Sequence, residues 1–110
     1  MVEIIHDKLV RDNIPKIIND QDNQSCEYYT IENEDEYFKY LVRKVVEEIN
    51  EFYQTPTSEE MADVMEVLMA IIKLKKIDVN IVESTRIKKL LKKGGFKKKY
   101  VLKRVINNVV

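Results

Sequence analysis

The sequence predicts a mostly α-helical protein, in which an antiparallel helical hairpin is followed by a third long helix. Three observations lead to this fold class. Apolar residues recur at three- and four-residue spacing over two long stretches, each stretch opens with residues that fit a capping box, and the 110 residues include only two glycines and two prolines. Because the length matches the usual size of one domain, we expect residues 1–110 to form a single domain.

The first predicted element is a short helix near the N-terminus. Asp12 can cap this helix, and Pro15 falls in its first turn, where the missing N–H removes no hydrogen bond. We expect the helix to end near Asn19 or Asp20, since the residues that follow are polar and typical of a turn.

The next two helices form the predicted hairpin. Asn33 and the glutamate three residues on fit a capping box, which opens a helix over residues 34–53. Thr57, again with a glutamate three residues on, opens a second helix that runs to about Lys75. Because so few residues link the two helices, they should be antiparallel neighbours.

The second helix of the hairpin is unusually apolar. Between Met61 and Ile72, ten of the twelve residues are apolar, and the exceptions are Asp63 and Glu66. Such a helix offers almost no face to solvent and must be covered on several sides. One short chain can hardly supply that cover, so we expect a homodimer or a higher homo-oligomer.

A third long helix should begin after Asp78, which can cap it, and end at Lys92-Lys93. Gly94 or Gly95 would then terminate the helix in a left-handed conformation. The two lysines would lie favourably near the negative end of the helix dipole.

Two segments outside the helices have the composition of strands. Cys26–Ile31 is rich in Tyr, Thr and Ile, and Phe96–Ile106 mixes Tyr and Val with lysines. We expect these segments to form a short strand pair. The alternative for the end of the chain is that the residues after about 104 are frayed.

Acidic residues form the most informative cluster. At 100° per residue, Glu47, Glu48 and Glu51 fall within one arc of about 100° on the first hairpin helix. Glu60 and Asp63 lie one turn apart on the second helix, near the same end of the hairpin. Because like charges at this spacing repel one another, the cluster predicts a compensating cation. Carboxylate ligands without His or Cys favour Mg²⁺, with Mn²⁺ as a second candidate.

Part of this cluster also has a structural interpretation. Glu60 is explained as a capping partner, and Glu47 could lie on a solvated helix face. Asp63 is different, because aspartate is a poor helix former and this one should be buried in an apolar helix without a cap to make. We therefore favour a metal site over solvated acids.

Three segments in order resemble the all-α NTP pyrophosphatase superfamily, which includes MazG, dimeric dUTPases and phosphoribosyl-ATP pyrophosphohydrolase. The acidic pattern on the hairpin is similar to its metal-binding signature. The other two segments resemble a MazG-like, phosphoribosyl-ATP pyrophosphohydrolase-like subgroup: Lys8-Leu9-Val10-Arg11-Asp12-Asn13-Ile14-Pro15 and Lys93-Gly94-Gly95-Phe96. The resemblance spans residues 8–96 and implies an all-α bundle.

The resemblance also implies an activity. Such enzymes use Mg²⁺ to hydrolyse the bond between the α- and β-phosphates of a nucleoside triphosphate, which yields a monophosphate and pyrophosphate, as in the removal of non-standard nucleotides. It implies that Glu48, Glu51, Glu60 and Asp63 are metal ligands. Glu47 would be a further ligand or the group that orients the attacking water.

Basic side chains should complement the metal. Four are candidates for binding the triphosphate: Lys8, Arg11, Lys44 and Lys93. Arg11 could grip phosphate oxygens with its planar guanidinium or pair structurally with Asp7 or Asp12. Lys93 could reach the site or serve at the C-terminus of its own helix, and the second role is the default expectation.

The formal net charge of zero hides a division of the chain. Residues 1–72 hold 6 basic and 17 acidic side chains, whereas residues 73–110 hold 13 basic and 2 acidic ones. The basic end predicts, as an alternative function, a nucleic-acid-binding or regulatory module. The competing interpretation is a solvated helix face that offsets the acidic half.

Other classes of protein do not fit this sequence. The longest uncharged apolar run, Val67–Ile72, is far shorter than the ~20 residues of a membrane span, and charged residues stand where a signal peptide is apolar. One Cys and one His are too few for a zinc site. We expect a cytoplasmic protein without a membrane partner.

Overall fold

The computed structural model describes residues 2–109 and contains four helices. These are α1 (Ile14–Asn19), α2 (Glu34–Gln54), α3 (Ser58–Leu74) and α4 (Val79–Lys93). No strand occurs within residues 2–109. The predicted mostly α-helical fold class is therefore confirmed, whereas the predicted strand pair is wrong. Met1 and Val110, which belong to the predicted single domain, lie outside the described residues.

Contacts along the chain divide the structure into two compact units. The first unit ends at Lys76 and contains α1, α2 and α3, and the second unit begins at Ile77 and contains α4. Within the first unit, α2 packs against α3. Because only three residues connect these two helices, they run antiparallel and form the predicted hairpin.

The predicted caps of the three long helices are present. The side chain of Asn33 accepts a hydrogen bond from the backbone N–H of Glu36 at 3.0 Å, and Thr57 Oγ1 accepts one from Glu60 at 3.3 Å. Asp78 accepts hydrogen bonds from two backbone N–H groups at the start of α4. Each cap satisfies donors that the first turn of a helix leaves unpaired.

The ends of the helices agree with the prediction in one case and differ in another. Gly94 follows α4 with a φ of 84°, a conformation that favours glycine because it has no Cβ. At α1, Pro15 lies in the first turn as predicted, but the cap position belongs to Asn13 and not to Asp12. Asn13 has a helical backbone conformation and makes no side-chain capping bond.

The two segments with strand-like composition make local hydrogen bonds. The backbone N–H of Cys26 donates to the Asn19 side chain at 3.1 Å. The backbone N–H of Lys99 donates to the Phe96 carbonyl at 3.2 Å, and Lys99 has a φ of 59°. A β-rich composition is a weak signal by itself, because a strand forms only where a neighbouring strand completes its hydrogen bonds.

The buried core of the described residues is small and lies between the hairpin helices. It consists of Leu41 from α2 with Val64 and Val67 from α3. Glu48 of α2 is also buried, which is unusual for a glutamate. Among residues 2–109, no helix has both the length and the apolar character that crossing a bilayer requires.

Candidate metal centre

Three carboxylates from the two hairpin helices converge on one point. Glu48 of α2 and Glu60 and Asp63 of α3 each offer an oxygen, and these oxygens all lie within 4.8 Å of one another. The sequence produces this arrangement because Glu60 and Asp63 are one turn apart on α3, and the short link returns that turn to the level of Glu48. These three residues belong to the predicted set of metal ligands.

Two oxygens of this group are buried without a hydrogen-bond partner among the described residues. They are Oε2 of Glu48 and Oε2 of Glu60. The whole Glu48 residue is only 7% exposed. A buried acceptor that lacks a partner carries a desolvation penalty of about 1–3 kcal/mol, and a charged one carries more. A cation between these carboxylates would satisfy both oxygens.

The pKa of Glu48 also indicates that a positive charge would stabilise this site. Burial raises the pKa of Glu48, and the negative charges of Glu51 and Asp63 add to this rise. Lys44 acts in the opposite direction from 3.4 Å, but it does not outweigh burial. The surroundings of Glu48 therefore disfavour its ionised form relative to water.

Glu47 has the opposite balance. Burial by itself raises its pKa, but hydrogen bonds from Lys8 at 3.0 Å and Lys44 at 3.2 Å outweigh burial, so the pKa of Glu47 lies below its ordinary value. The bond to Glu47 likewise raises the pKa of Lys8. Glu47 is thus a stable carboxylate next to Glu48 on α2, and its role in orienting water stays a prediction.

Lys44 lies inside the acidic arc, as its position on α2 predicts. Its side chain is only 14% exposed, and its ammonium group contacts both Glu47 and Glu48. A lysine held in this way fixes the orientation of two carboxylates at once.

The structure corrects the expected surroundings of Asp63. The sequence predicts a buried aspartate without a partner, but this side chain is 40% exposed and accepts a hydrogen bond from Arg11 at 2.7 Å. Arg11 was expected to contact phosphate or to pair with Asp7 or Asp12, and neither of these aspartates is its partner. This contact depends on the path of the chain. The segment before α1 lies beside the hairpin, which brings together two residues that are 52 positions apart.

The remaining candidates occupy different positions. Glu51 is exposed and lies outside the converging group, although its charge acts on Glu48. Lys93 is the last residue of α4, in the second unit, where it complements the helix dipole. Its role toward a triphosphate stays a prediction, as does that of Glu51 toward a metal.

The donor set determines which ions fit the site. All three converging groups supply oxygen, which hard cations such as Mg²⁺ and Mn²⁺ prefer. Three carboxylates leave several coordination positions for water or for phosphate oxygens, which is how Mg²⁺ is usually held in nucleotide enzymes. The residues present therefore fit the group that the sequence resemblance implies.

In comparisons with family models, curated proteins and solved structures, nothing matches this chain. The interpretation of the site accordingly rests on its own geometry and on the sequence motifs.

Proposed function

We propose that this protein is a Mg²⁺-dependent nucleoside triphosphate pyrophosphohydrolase of the MazG-like type, which cleaves the α–β phosphate bond to give a monophosphate and pyrophosphate. One observation carries the proposal. Three carboxylates converge within 4.8 Å, and two of their oxygens are buried without a partner in residues 2–109. Such a site favours a divalent cation, and the exposed basic side chains at its edge favour a phosphorylated substrate.

In this proposal each residue has a distinct task. Glu48, Glu60 and Asp63 would hold the metal, which when bound would neutralise the triphosphate and lower the pKa of a water ligand. Glu47 accepts a hydrogen bond from the attacking water and orients it toward phosphorus. Lys44, which is also a predicted triphosphate-binding residue, holds Glu47 and Glu48 in place, since its ammonium group contacts both.

The substrate's phosphates would meet the segment before α1. Lys8 and Arg11 contact Glu47 and Asp63 from partly exposed positions, so each can extend toward an oxygen of the triphosphate at the edge of the site. Arginine suits this task because its planar group presents two parallel N–H donors to phosphate.

The decisive experiment measures pyrophosphate release from a panel of canonical and modified nucleoside triphosphates in the presence of Mg²⁺. The proposal expects release from at least one of them, and loss of that release in Glu48→Gln and Asp63→Asn. Glu66→Gln is the matched control, because Glu66 lies on the same helix but outside the converging group. An absence of turnover across the panel, or full activity in both site variants, would contradict the proposal.

We also propose that the protein works as a homodimer built on one face of the hairpin. Eight apolar residues of α2 and α3 are between 37% and 82% exposed, and we call them the apolar face: Val42, Val46, Ile49, Tyr53, Met61, Met65, Leu68 and Met69. Four of them recur on α2 with spacings of four, three and four residues, which is the pattern of helices that pack in bundles.

Helix geometry places both halves of the apolar face on the same side of the hairpin. In each helix, the exposed apolar residues lie about 100° further round than the buried core residues, in the direction of increasing residue number. Because the helices are antiparallel, these two offsets point to one side, and the carboxylates Glu47 and Asp63 fall on the other side. A second copy packed on the apolar face would therefore complete a four-helix bundle without blocking the carboxylates.

Light scattering coupled to size-exclusion chromatography tests the dimer. The double variant Met65→Gln/Leu68→Gln should shift the protein toward the monomer, because it places polar groups in the centre of the packed face. The control is Glu59→Gln/Glu66→Gln, which introduces the same residues on the opposite side of α3. A monomeric parent protein, or equal dissociation of the two variants, would argue against this interface.

A further inference from the structure

The second unit carries a strong positive charge that the proposed hydrolase chemistry does not use. Residues 77–110 contain ten basic and two acidic side chains. Within residues 77–109, the one ion pair joins Arg86 to Glu83. Most of the lysines in this unit therefore have no acidic partner there, so the unit presents an uncompensated positive surface.

A turn in this unit shapes a groove. The hydrogen bond from the Lys99 N–H to the Phe96 carbonyl closes the turn. Phe96 stands at the start of this turn, and Tyr100 follows directly after it. The residues of this turn border an open depression in the surface. Its lining combines two aromatic rings with two lysines and small or apolar residues: Gly95, Phe96, Lys98, Lys99, Tyr100 and Val101.

Both aromatic rings of the groove are available for stacking. Phe96 is 98% exposed and Tyr100 is 84% exposed. The ammonium group of Lys98 lies 6.0 Å from the centre of the Tyr100 ring. Large rings left in water beside lysines are typical of surfaces that stack bases and contact the phosphates between them.

We propose that this groove binds single-stranded nucleic acid, with unpaired bases stacked on Phe96 and Tyr100 and with Lys98 and Lys99 on the backbone phosphates. Single strands fit because stacking on a side chain requires a base face that a duplex would hide. An acidic protein surface, such as the first unit of a second copy, would also be complementary to the positive charge. It fits less well, because carboxylates do not stack on aromatic rings, whereas unpaired bases do.

The test is fluorescence anisotropy of a labelled oligouridylate of about 12 nucleotides, titrated with the protein of residues 1–110 over a range of salt concentrations. We expect binding at low salt that weakens as salt is added. In Lys98→Gln/Lys99→Gln, the slope of log affinity against log salt should flatten by about 1.4, since each phosphate contact on a single strand contributes about 0.7. Lys39→Gln/Lys73→Gln removes the same charge from the first unit and should leave the slope unchanged.

The rings are tested separately from the charges. Phe96→Ala/Tyr100→Ala should weaken binding by about 30-fold or more at constant salt, since each stacked base contributes at least about 1 kcal/mol, and should keep the salt slope, because stacking does not release counterions. Glu48→Gln should bind the oligonucleotide like the parent protein, so that loss of hydrolysis and loss of binding are distinguished.

Three results would overturn the proposal. The first is no anisotropy change at low salt, and the second is binding that the lysine and aromatic variants leave intact. The third is self-association that is salt-dependent and lost in Lys98→Gln/Lys99→Gln, without oligonucleotide binding. That outcome would assign the basic surface to the acidic unit of another copy.

Discussion

The two units of this chain use charge in opposite ways. In the first unit, lysines and an arginine contact specific carboxylates, as in the contacts of Lys44 with Glu47 and Glu48. In the second unit, the ion pair of described residues joins Arg86 to Glu83, and the lysines within residues 77–109 are exposed to solvent. Paired charges define a fixed site for a small ion or ligand, whereas unpaired like charges define a surface for a polyanion.

The net charge of zero is the sum of two units with opposite charges. The first unit holds 9 basic and 17 acidic side chains, and residues 77–110 hold 10 basic and 2 acidic ones. The sum is balanced, but neither unit is.

The largest effect should come from Glu48→Gln, which removes a charge from the centre of the converging carboxylates. We expect pyrophosphate release, measured as kcat/KM, to fall by about 100-fold or more, because one ligand of the metal is lost. Glu66→Gln should stay within about 2-fold of the parent protein. Equal losses in the two variants would show that activity depends on the overall negative charge of the hairpin and not on the converging group.

The same substitution should have the opposite effect on stability when divalent cations are chelated. Because burial and two negative neighbours raise the pKa of Glu48, its ionised form opposes folding at neutral pH, and the neutral glutamine relieves that opposition. Thermal unfolding in EDTA should therefore show a higher Tm for Glu48→Gln than for the parent protein. A lower Tm would mean that the contact with Lys44 outweighs the repulsion.

Arg11→Ala should separate substrate binding from stability. We expect KM for the nucleotide to rise by about 10-fold, because a charged hydrogen bond to phosphate is lost. The free energy of unfolding should change by less than about 1 kcal/mol, since the pair with Asp63 is partly exposed. Arg11→Lys should recover part of the affinity. An unchanged KM in Arg11→Ala would reduce Arg11 to a structural partner of Asp63.

The smallest effect concerns the helix that carries Glu60 and Asp63. Thr57→Ala removes the cap of α3 and should lower the free energy of unfolding by about 1 kcal/mol in urea. Thr55→Ala is the control, because no side-chain capping bond involves Thr55. If the two variants are equally stable, the contact of Thr57 with the Glu60 backbone contributes nothing measurable.

Local signals carried the successful predictions. The starts of three helices were predictable from Asn33, Thr57 and Asp78, because a cap and its bonding partners lie within four residues of one another in the sequence. Glu60 and Asp63 fall on one face of α3 because helical periodicity fixes their spacing. The short link between α2 and α3 then brings Glu48 to the same point.

Long-range features could not be predicted in the same way. The pair of Arg11 with Asp63 joins positions that are far apart in the sequence, and nothing in the spacing of residues specifies it. The exposure of Asp63 was missed for the same reason, because burial depends on which segments lie beside α3. The strand predicted for Cys26–Ile31 failed because composition was its sole support, and no described strand pairs with it.

A titration of the protein with Mn²⁺, followed by the loss of the free-ion signal in electron paramagnetic resonance, tests the metal site most directly. Mn²⁺ is the probe because it takes the same oxygen ligands as Mg²⁺ and is detected directly. We expect saturable binding by the parent protein and by Glu66→Gln, and at least about 10-fold weaker binding by Glu48→Gln and Asp63→Asn. Equal binding by all four proteins, or none by the parent, would contradict the claim that these carboxylates form a metal site.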